Sequence, residues 1–166
     1  MRRRRRRRVQ RDRGVEAEGA ARRPWRLRGT PAVLYRDGRF DTFGIGYDGS
    51  VWQQTYFAGS PGWNLWQRVG GANLVGGLDA VQDPAFGFRV LGVDASNRIQ
   101  QFSSSDGSSW TNQNISNGGE AIGTPALMPR GGRLDVMVIG LDGRVWYETF
   151  AAGAWSGWTP AGGDFG

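Results

Sequence analysis

From Arg133 to Ile139 the chain reads "RLDVMVI". In an extended strand Leu134, Val136 and Val138 point to one side, and Met137 and Ile139 to the other, because successive side chains alternate. "RFDTFGI" from Arg39 repeats the arrangement, with Phe40 and Thr42 opposing Phe43 and Ile45. A sheet with one wet face would alternate apolar with polar residues. Here both faces are largely apolar, which predicts strands covered on both sides. No run of helical periodicity occurs from residue 29 onward, Gly is frequent, and turn signals recur about every ten residues, so this body is predicted to be all-β.

The apolar pattern is repeated. "GTPAVLYRDGRFDTFGIGYDGSVW" from Gly29 aligns without a gap with "GTPALMPRGGRLDVMVIGLDGRVW" from Gly123, at an offset of 94. A middle copy, "GLDAVQDPAFGFRVLGVDASNRIQ", begins at Gly77, 48 residues after the first. It sets Ala80 against Ala32, Phe88 against Phe40, Ile99 against Val51, and the turn residues Ser96-Asn97 against Asp48-Gly49. Downstream, Trp63, Trp110 and Trp155 correspond, as do Gly70-Gly71, Gly118-Gly119 and Gly162-Gly163. Three units follow, 29–76, 77–122 and 123–166.

Each unit is predicted to be a four-stranded sheet. In the third, the first strand lies near Pro125–Met128, Gly131-Gly132 turns the chain into a second at Arg133–Ile139, and Asp142-Gly143 forms the next tight turn. Such residues tolerate the positive φ a tight hairpin requires. A third strand is predicted from about Arg144 to Phe150, and a fourth carrying Trp155 and Trp158. A repeat of ~40–50 residues that is one whole sheet, apolar on both faces, is the signature of β-propeller blades stacked around an axis. Rings use ~4–8 blades. Three leave the outer faces of the first and last bare, so the expectation is a partial propeller, either part of a longer one or half of a homo-oligomeric ring.

Composition removes several chemistries. The chain has no Cys and no His, which excludes disulfides, thiolate metal sites, Cys nucleophiles and His-based triads. No metal or other cofactor is expected. The net charge of +6 conceals a division, since residues 1–28 hold thirteen Arg against three acids and residues 29–166 hold eight Arg against twelve. The body is mildly acidic, and only the tail is basic. Residues 1–28 include seven consecutive Arg and no apolar segment, so they are expected to be disordered. The tail lacks the apolar stretch of a secretory signal, and no stretch reaches membrane-spanning length. It is read as an unstructured leader or as an electrostatic arm, the one route by which nucleic acid becomes a partner.

The pattern "TPA…RLDVMVIGLDGRVWYETF…GAWSGW…GG" resembles the repeat of the PLL-type bacterial β-propeller lectins, over about residues 29–166. The resemblance implies a module that binds glycans, fucose or O-methylated sugars, in shallow pockets between adjacent blades. It also implies a secreted or extracellular setting. The middle unit departs from the pattern, with Gln100 in place of Trp52 and Trp146, and Gln113 in place of Trp66 and Trp158.

Sugar recognition needs an aromatic face for C–H groups and planar polar groups for hydroxyls. Trp52, Gln54 and Tyr56 share one strand face, with Trp146, Glu148 and Phe150 as counterparts. Trp66 and Trp158 are further candidates. The competing reading is blade packing, since burying an indole removes ~200 Å² of surface, worth on the order of 5 kcal/mol. Trp63, Trp110 and Trp155 survive in all three units, which favours scaffold. Arg39 and Arg133 each precede an acid by two residues, Asp41 or Asp135, and are read as surface ion pairs or as donors to sugar hydroxyls. "SSSDGSSW" from Ser103 nearly matches an Asp-box turn, a structural hairpin rather than a catalytic motif.

The leading expectation is therefore a non-enzymatic carbohydrate-binding module. A scaffold or protein-interaction propeller with dead pockets, or a targeting module of a secreted enzyme, is the alternative. A glycosidase needs two carboxylates ~5–10 Å apart across a cleft, and the body offers only Glu120 and Glu148 as glutamates. Nucleic-acid binding through the tail would show steep salt dependence that disappears when residues 1–28 are deleted, a comparison that filter binding at two salt concentrations decides.

Overall fold

The computed structural model describes residues 26–162. Among them there is no helix. Three antiparallel sheets follow one another along the chain. The first contains β1 (Leu27–Arg36), β2 (Arg39–Gly46), β3 (Ser50–Phe57) and β4 (Gln67–Gly71). The second contains β5 (Leu74–Asp83), β6 (Gly87–Asp94), β7 (Ile99–Ser104) and β8 (Thr111–Asn114). The third contains β9 (Ala121–Arg130), β10 (Arg133–Gly140) and β11 (Val145–Ala151), with the short strands β12 (Ala154–Trp155) and β13 (Thr159–Pro160) both paired to β11. Strand order equals chain order in each sheet, as in a meander. These are three β-propeller blades, a partial propeller.

The first strands β1, β5 and β9 lie side by side and form the inner wall. Backbones approach closely there. A Cβ on Gly29 would overlap the carbonyl of Gly76, and Gly29, Gly76 and Gly123 have φ of +71°, +79° and +77°. Both features require glycine. The equivalent of Gly29 is thus Gly76 rather than Gly77, one residue from the sequence alignment. Ala32 pairs with Phe43, and it is Asp79, not Ala80, that pairs with the corresponding Leu91. The turn between β5 and β6 is one residue longer than its counterpart between β1 and β2, and restores the offset of 48 downstream.

The hairpin positions follow the turn chemistry. Gly49, Asn97 and Gly143 take φ of +75°, +61° and +77°, so Ser96-Asn97 does replace Asp48-Gly49 as a turn. Two details differ from expectation. The first strand of the third blade runs beyond Pro125–Met128 at both ends, and the fourth strand is split, leaving Trp158 between β12 and β13. The tail expectation falls mostly outside the described residues, although β1 begins at Leu27, two residues ahead of the repeat boundary. Among the described residues no helix is long and apolar enough to cross a membrane.

Each blade has a forward face toward the next blade and a rear face toward the preceding one. Phe43, Ile45 and Val51 on the forward face of blade 1 pack against Leu78, Ala80, Val90 and Phe102 on the rear face of blade 2. Leu91, Val93 and Ile99 on the forward face of blade 2 pack against Leu134, Val136 and Val138 on the rear face of blade 3. Polar groups cross the first boundary too. The buried Asp41 carboxylate accepts from Arg39 Nε (2.6 Å), Gln53 Nε2 (2.7 Å) and Thr55 Oγ1 (2.7 Å). Gln53 Oε1 in turn accepts from the indole of Trp110 on blade 2 (3.2 Å). Trp110 also meets Phe43 edge-on, with centroids 5.6 Å apart. Truncating Trp110 to Ala removes both the ring contacts and the indole donor to Gln53. It is expected to cost about 3–5 kcal/mol, measured as a lowered urea midpoint with an unchanged slope.

Candidate functional site

The repeat positions that differ most between blades are at the rear faces. Trp146 and Glu148 lie on the rear face of blade 3, against blade 2. Together with Trp158 they adjoin a cleft of about 530 Å³ at the boundary of blades 2 and 3. Blade 2 contributes Ile99, Asn117, Gly118, Gly119 and Glu120, and blade 3 contributes Asp142, Trp146, Gly157 and Trp158, among others. The two indoles are fixed before any ligand arrives. Trp146 Nε1 donates to both oxygens of Asp142 (3.2 Å each), and Trp158 Nε1 donates to the carbonyl of Ile115 (3.1 Å).

Glu148 sits behind this lining, fully buried. Its Oε1 accepts from the Gly157 amide (2.9 Å) and from Asn117 Nδ2 (3.4 Å), while Oε2 has no hydrogen-bond partner among the described residues. Burial pushes its carboxyl above the usual range, and the Gly157 and Asn117 donors only partly oppose this. Of the sequence candidates, Trp146 and Trp158 line this cleft and Glu148 lies behind it, whereas Asn117, Glu120, Asp142 and Gly157 were not among them. The repeated pair Gly118-Gly119 was visible, but nothing in its composition said that it lines a cleft.

The middle blade, which reads as degraded in the sequence, is instead rebuilt. In blades 1 and 3 a turn carboxylate meets the indole N–H on the next strand. A Cβ on Gly46 would lie 2.5 Å from Asp48 Oδ1 and 2.8 Å from Trp52 Nε1, and one on Gly140 would lie 2.5 Å from Asp142 Oδ1 and 2.9 Å from Trp146 Nε1. The glycine is what leaves room for the pair. In blade 2 the three positions are Asp94, Ser96 and Gln100. The carboxylate now grows from the former glycine position, and Gln100 Nε2 donates to Asp94 Oδ2 (2.9 Å). Asp94 Oδ1 also accepts from the amides of Ser96 (2.8 Å) and Arg98 (3.0 Å), recreating the turn contact that Asp48 makes with the Ser50 amide (3.0 Å). Burial pushes the Asp48 and Asp94 carboxyls up, but these donors together outweigh it and hold both below the usual range. One contact is conserved while all three residues exchange.

Solved structures of lectins share this architecture. The lectin BP39L from Burkholderia pseudomallei superposes with a TM-score of 0.69 at 17% identity, over 83% of this chain and 42% of that one. SapL1, solved in complex with α-methyl fucoside, gives 0.59 at 19% identity over 80% and 45%. The Aleuria aurantia lectin AAL, in complex with Fucα1-6GlcNAc, gives 0.57 at 12% identity over 80% and 44%. The chain has the fold of the β-propeller lectins. It spans less than half the length of each of these structures. No protein-family model matches the chain, and a comparison with curated proteins finds no similar one.

Within this lectin fold the other boundaries differ from the open cleft. Between blades 1 and 2, Phe102 occupies the position of Glu148, and its ring lies so close to Gly70 that a Cβ there would be 2.7 Å from Cε1. Gln100 is committed to Asp94, and Gln113 lies on the exposed strand β8. Trp52, Gln54 and Tyr56 share the rear face of blade 1, which no blade among the described residues covers, and the half-buried Trp66 precedes β4. Gln54 Nε2 donates to the Asn64 carbonyl there (2.8 Å). Arg39 does pair with Asp41, but the acid is buried, so the pair is not the surface one expected. Its guanidinium also lies between the rings of Phe57 (5.6 Å) and Phe88 (5.3 Å), at a second cleft of about 360 Å³. Arg89 does the same between Phe86 (5.7 Å) and Phe150 (5.1 Å) at the next boundary. Arg133 corrects the sequence reading. It is exposed, and the partner of Asp135 is Arg130 (2.9 Å), brought opposite Arg133 by the Gly131-Gly132 hairpin. Near Ser103, Asp106 accepts from the amides of Ser109 and Ser108 and from the Ser104 hydroxyl, which hold its carboxyl at about 2. The Asp-box-like stretch is a turn, as expected.

Two variants test this geometry. Gly140→Asp alone places a side chain where Asp142 and Trp146 meet, and is expected to destabilise by about 1–3 kcal/mol, as overpacking does. The triple variant with Asp142→Ser and Trp146→Gln is expected to recover most of that loss in the same denaturant titration. Glu148→Gln keeps an oxygen for the Gly157 amide and removes a buried charge, the residue type that Gln54 already supplies in blade 1. Because the folded-state pKa of Glu148 is raised, ionisation opposes folding. The variant is therefore expected to melt above the native protein at pH 7, with the gap closing as the pH falls through the folded pKa and vanishing below the carboxyl's ordinary 4.5. An equal gap at all pH values would contradict this account.

Proposed function

We propose that the protein is a non-enzymatic carbohydrate-binding module whose principal site is the cleft between blades 2 and 3. The observation that carries this reading is the pair of hydrogen-bonded indoles, Trp146 and Trp158, lining one cleft with the Asn117 amide and the backbone of Gly157. An indole face suits the C–H patch of a sugar ring, and the neighbouring amide and carboxylate suit its hydroxyls. Fixed side chains lose little entropy when a ligand stacks on them. The lectin fold and the fucose-bearing ligands of SapL1 and AAL support fucose as the ligand class, and the resemblance to the PLL-type repeat adds O-methylated sugars.

Charge narrows the class. Glu120 and Asp142 line the cleft and Glu148 is buried just behind it, so an anionic sugar meets repulsion that a deoxy or methylated one avoids. The boundary between blades 1 and 2 supports a second reading, a scaffold with reduced sugar capacity, because Phe102 stands at the position that Glu148 holds in the open cleft.

Titration calorimetry with α-methyl fucoside and with an O-methylated sugar tests the proposal. Binding is expected in the micromolar-to-millimolar range, with Trp158→Ala weakening it at least tenfold, about 1.4 kcal/mol. Glucuronic acid is expected to bind at least tenfold more weakly than fucose. Absence of binding by either neutral sugar at tens of millimolar would overturn the reading, and binding unaffected by Trp158→Ala would move the site elsewhere.

A further inference from the structure

Among the described residues, the two faces that no blade covers are one forward face and one rear face. On the rear face of blade 1, Tyr35 (64% exposed), Phe40 (37%) and Trp63 (49%) lie open, joined through ring contacts of 4.5 to 6.2 Å that run through Tyr56. On the forward face of blade 3, Met137 (44%), Ile139 (49%) and Tyr147 (38%) lie open. Each is the repeat equivalent of a face that is mated inside the chain. Phe43 and Leu91 stand at the position of Met137, and both are fully buried by the next blade. Trp110 and Trp155 stand at the position of Trp63; Trp110 packs on Phe43 of the preceding blade, and Trp155 packs against the apolar cluster that blades 2 and 3 share.

We propose that a second copy of this chain covers both faces, with the forward face of blade 3 in one protomer seated on the rear face of blade 1 in the other. The contact is heterologous, and two such contacts close six blades, within the ~4–8 of known rings. Repeat equivalence specifies the junction residue by residue. Arg39 lies over Phe88 at the first internal boundary. Arg133 holds the Arg39 position and is exposed, and Phe40 holds the Phe88 position. The junction therefore places Arg133 over the Phe40 ring of the second copy. Trp158 donates to the Ile115 carbonyl at the second internal boundary. Trp66 takes the part of Trp158, and Ala161 that of Ile115, whose amide-to-strand bond it shares: Ile115 N donates to Ile99 O and Ala161 N to Val145 O. A cleft walled by Trp52 and Trp66 is thus half-built in the single chain and completed by the second. This last point rests on the sugar reading above, whereas the assembly does not.

The full chain in solution tests the assembly without any sugar. Sedimentation is expected to give twice the 18.2 kDa chain mass. Phe40→Asp on the rear face and Met137→Asp on the forward face are each expected to give monomers, and an equimolar mixture of the two to regain dimers through its one intact junction. Because the chain lacks cysteine, Phe40→Cys mixed with Arg133→Cys is expected to yield a disulfide-linked dimer under mild oxidation, while neither variant does so alone. A native chain that stays monomeric at 100 µM, or a dimer dissociated by only one of the two Asp variants, would overturn the proposal. If the dimer holds, sugar stoichiometry is expected to fall from two sites per chain to one when Trp66→Ala is introduced. A dimer that binds no sugar would refute the sugar reading and leave the assembly intact.

Discussion

The structure depends on a single constraint, that both faces of every sheet are apolar. A two-faced sheet of this kind cannot be stable alone, because either side left in water forfeits its burial energy. Stacking blade on blade covers the second face without changing the first. The faces are not interchangeable. The forward face supplies large side chains near the inner strands, Phe43 and Ile45 or Leu91 and Val93, and the rear face supplies the positions that accept them. Directionality of the stack follows from that asymmetry. So does the placement of a guanidinium between two rings at each internal boundary, where a planar cation lies over aromatic faces from both blades.

The candidate site is a by-product of the same stacking. Where the rear face carries Phe102, the ring packs on Gly70. Where it carries Glu148, the carboxylate turns to the Gly157 amide and Asn117, and an aromatic-lined space remains in front of it. Residue choice at one strand position therefore tracks whether a boundary is filled or open. The exchange of Gly, Asp and Trp for Asp, Ser and Gln in blade 2 is a separate matter. It preserves a carboxylate-to-N–H contact at the hairpin, and so belongs to the scaffold even though it removes an aromatic from a candidate site.

Much of this was legible in the sequence, for reasons that vary by residue. The blade repeat, the all-β class and the propeller architecture followed from two-faced apolar strands and a recurring unit, which are local or periodic signals, whereas the lectin reading came from the resemblance of the repeat to a known family. The Asn97 turn followed from left-handed propensity. The one-residue shift at Gly76 was hidden because Gly76 and Gly77 are adjacent and only the backbone dihedral separates them. Arg133 misled because spacing of two residues was read as pairing, whereas a hairpin brings Arg130 to the same acid. Asn117 and Gly157 belong to different blades, and their meeting at Glu148 has no signature along the chain. Glu148 itself was chosen for its chemistry, but its full burial and unpartnered oxygen arise only from the packing of blade 3 on blade 2.

The middle blade has a property that neither neighbour shares. It is the one sheet among the described residues with both faces covered within the chain, and it contributes to both apolar clusters. Opening blade 1 or blade 3 breaks one cluster, whereas exposing β6 and β7 breaks two. In a single chain with its outer faces open, local unfolding is therefore graded along the sequence, with the slowest amide exchange in the centre and faster exchange toward both ends. The blade whose sequence departs furthest from its siblings is the keystone of the stack: Gln100, which replaces a tryptophan on its rear face, is bonded to Asp94, while Val90 and Phe102 on one face and Leu91 and Val93 on the other keep both clusters intact.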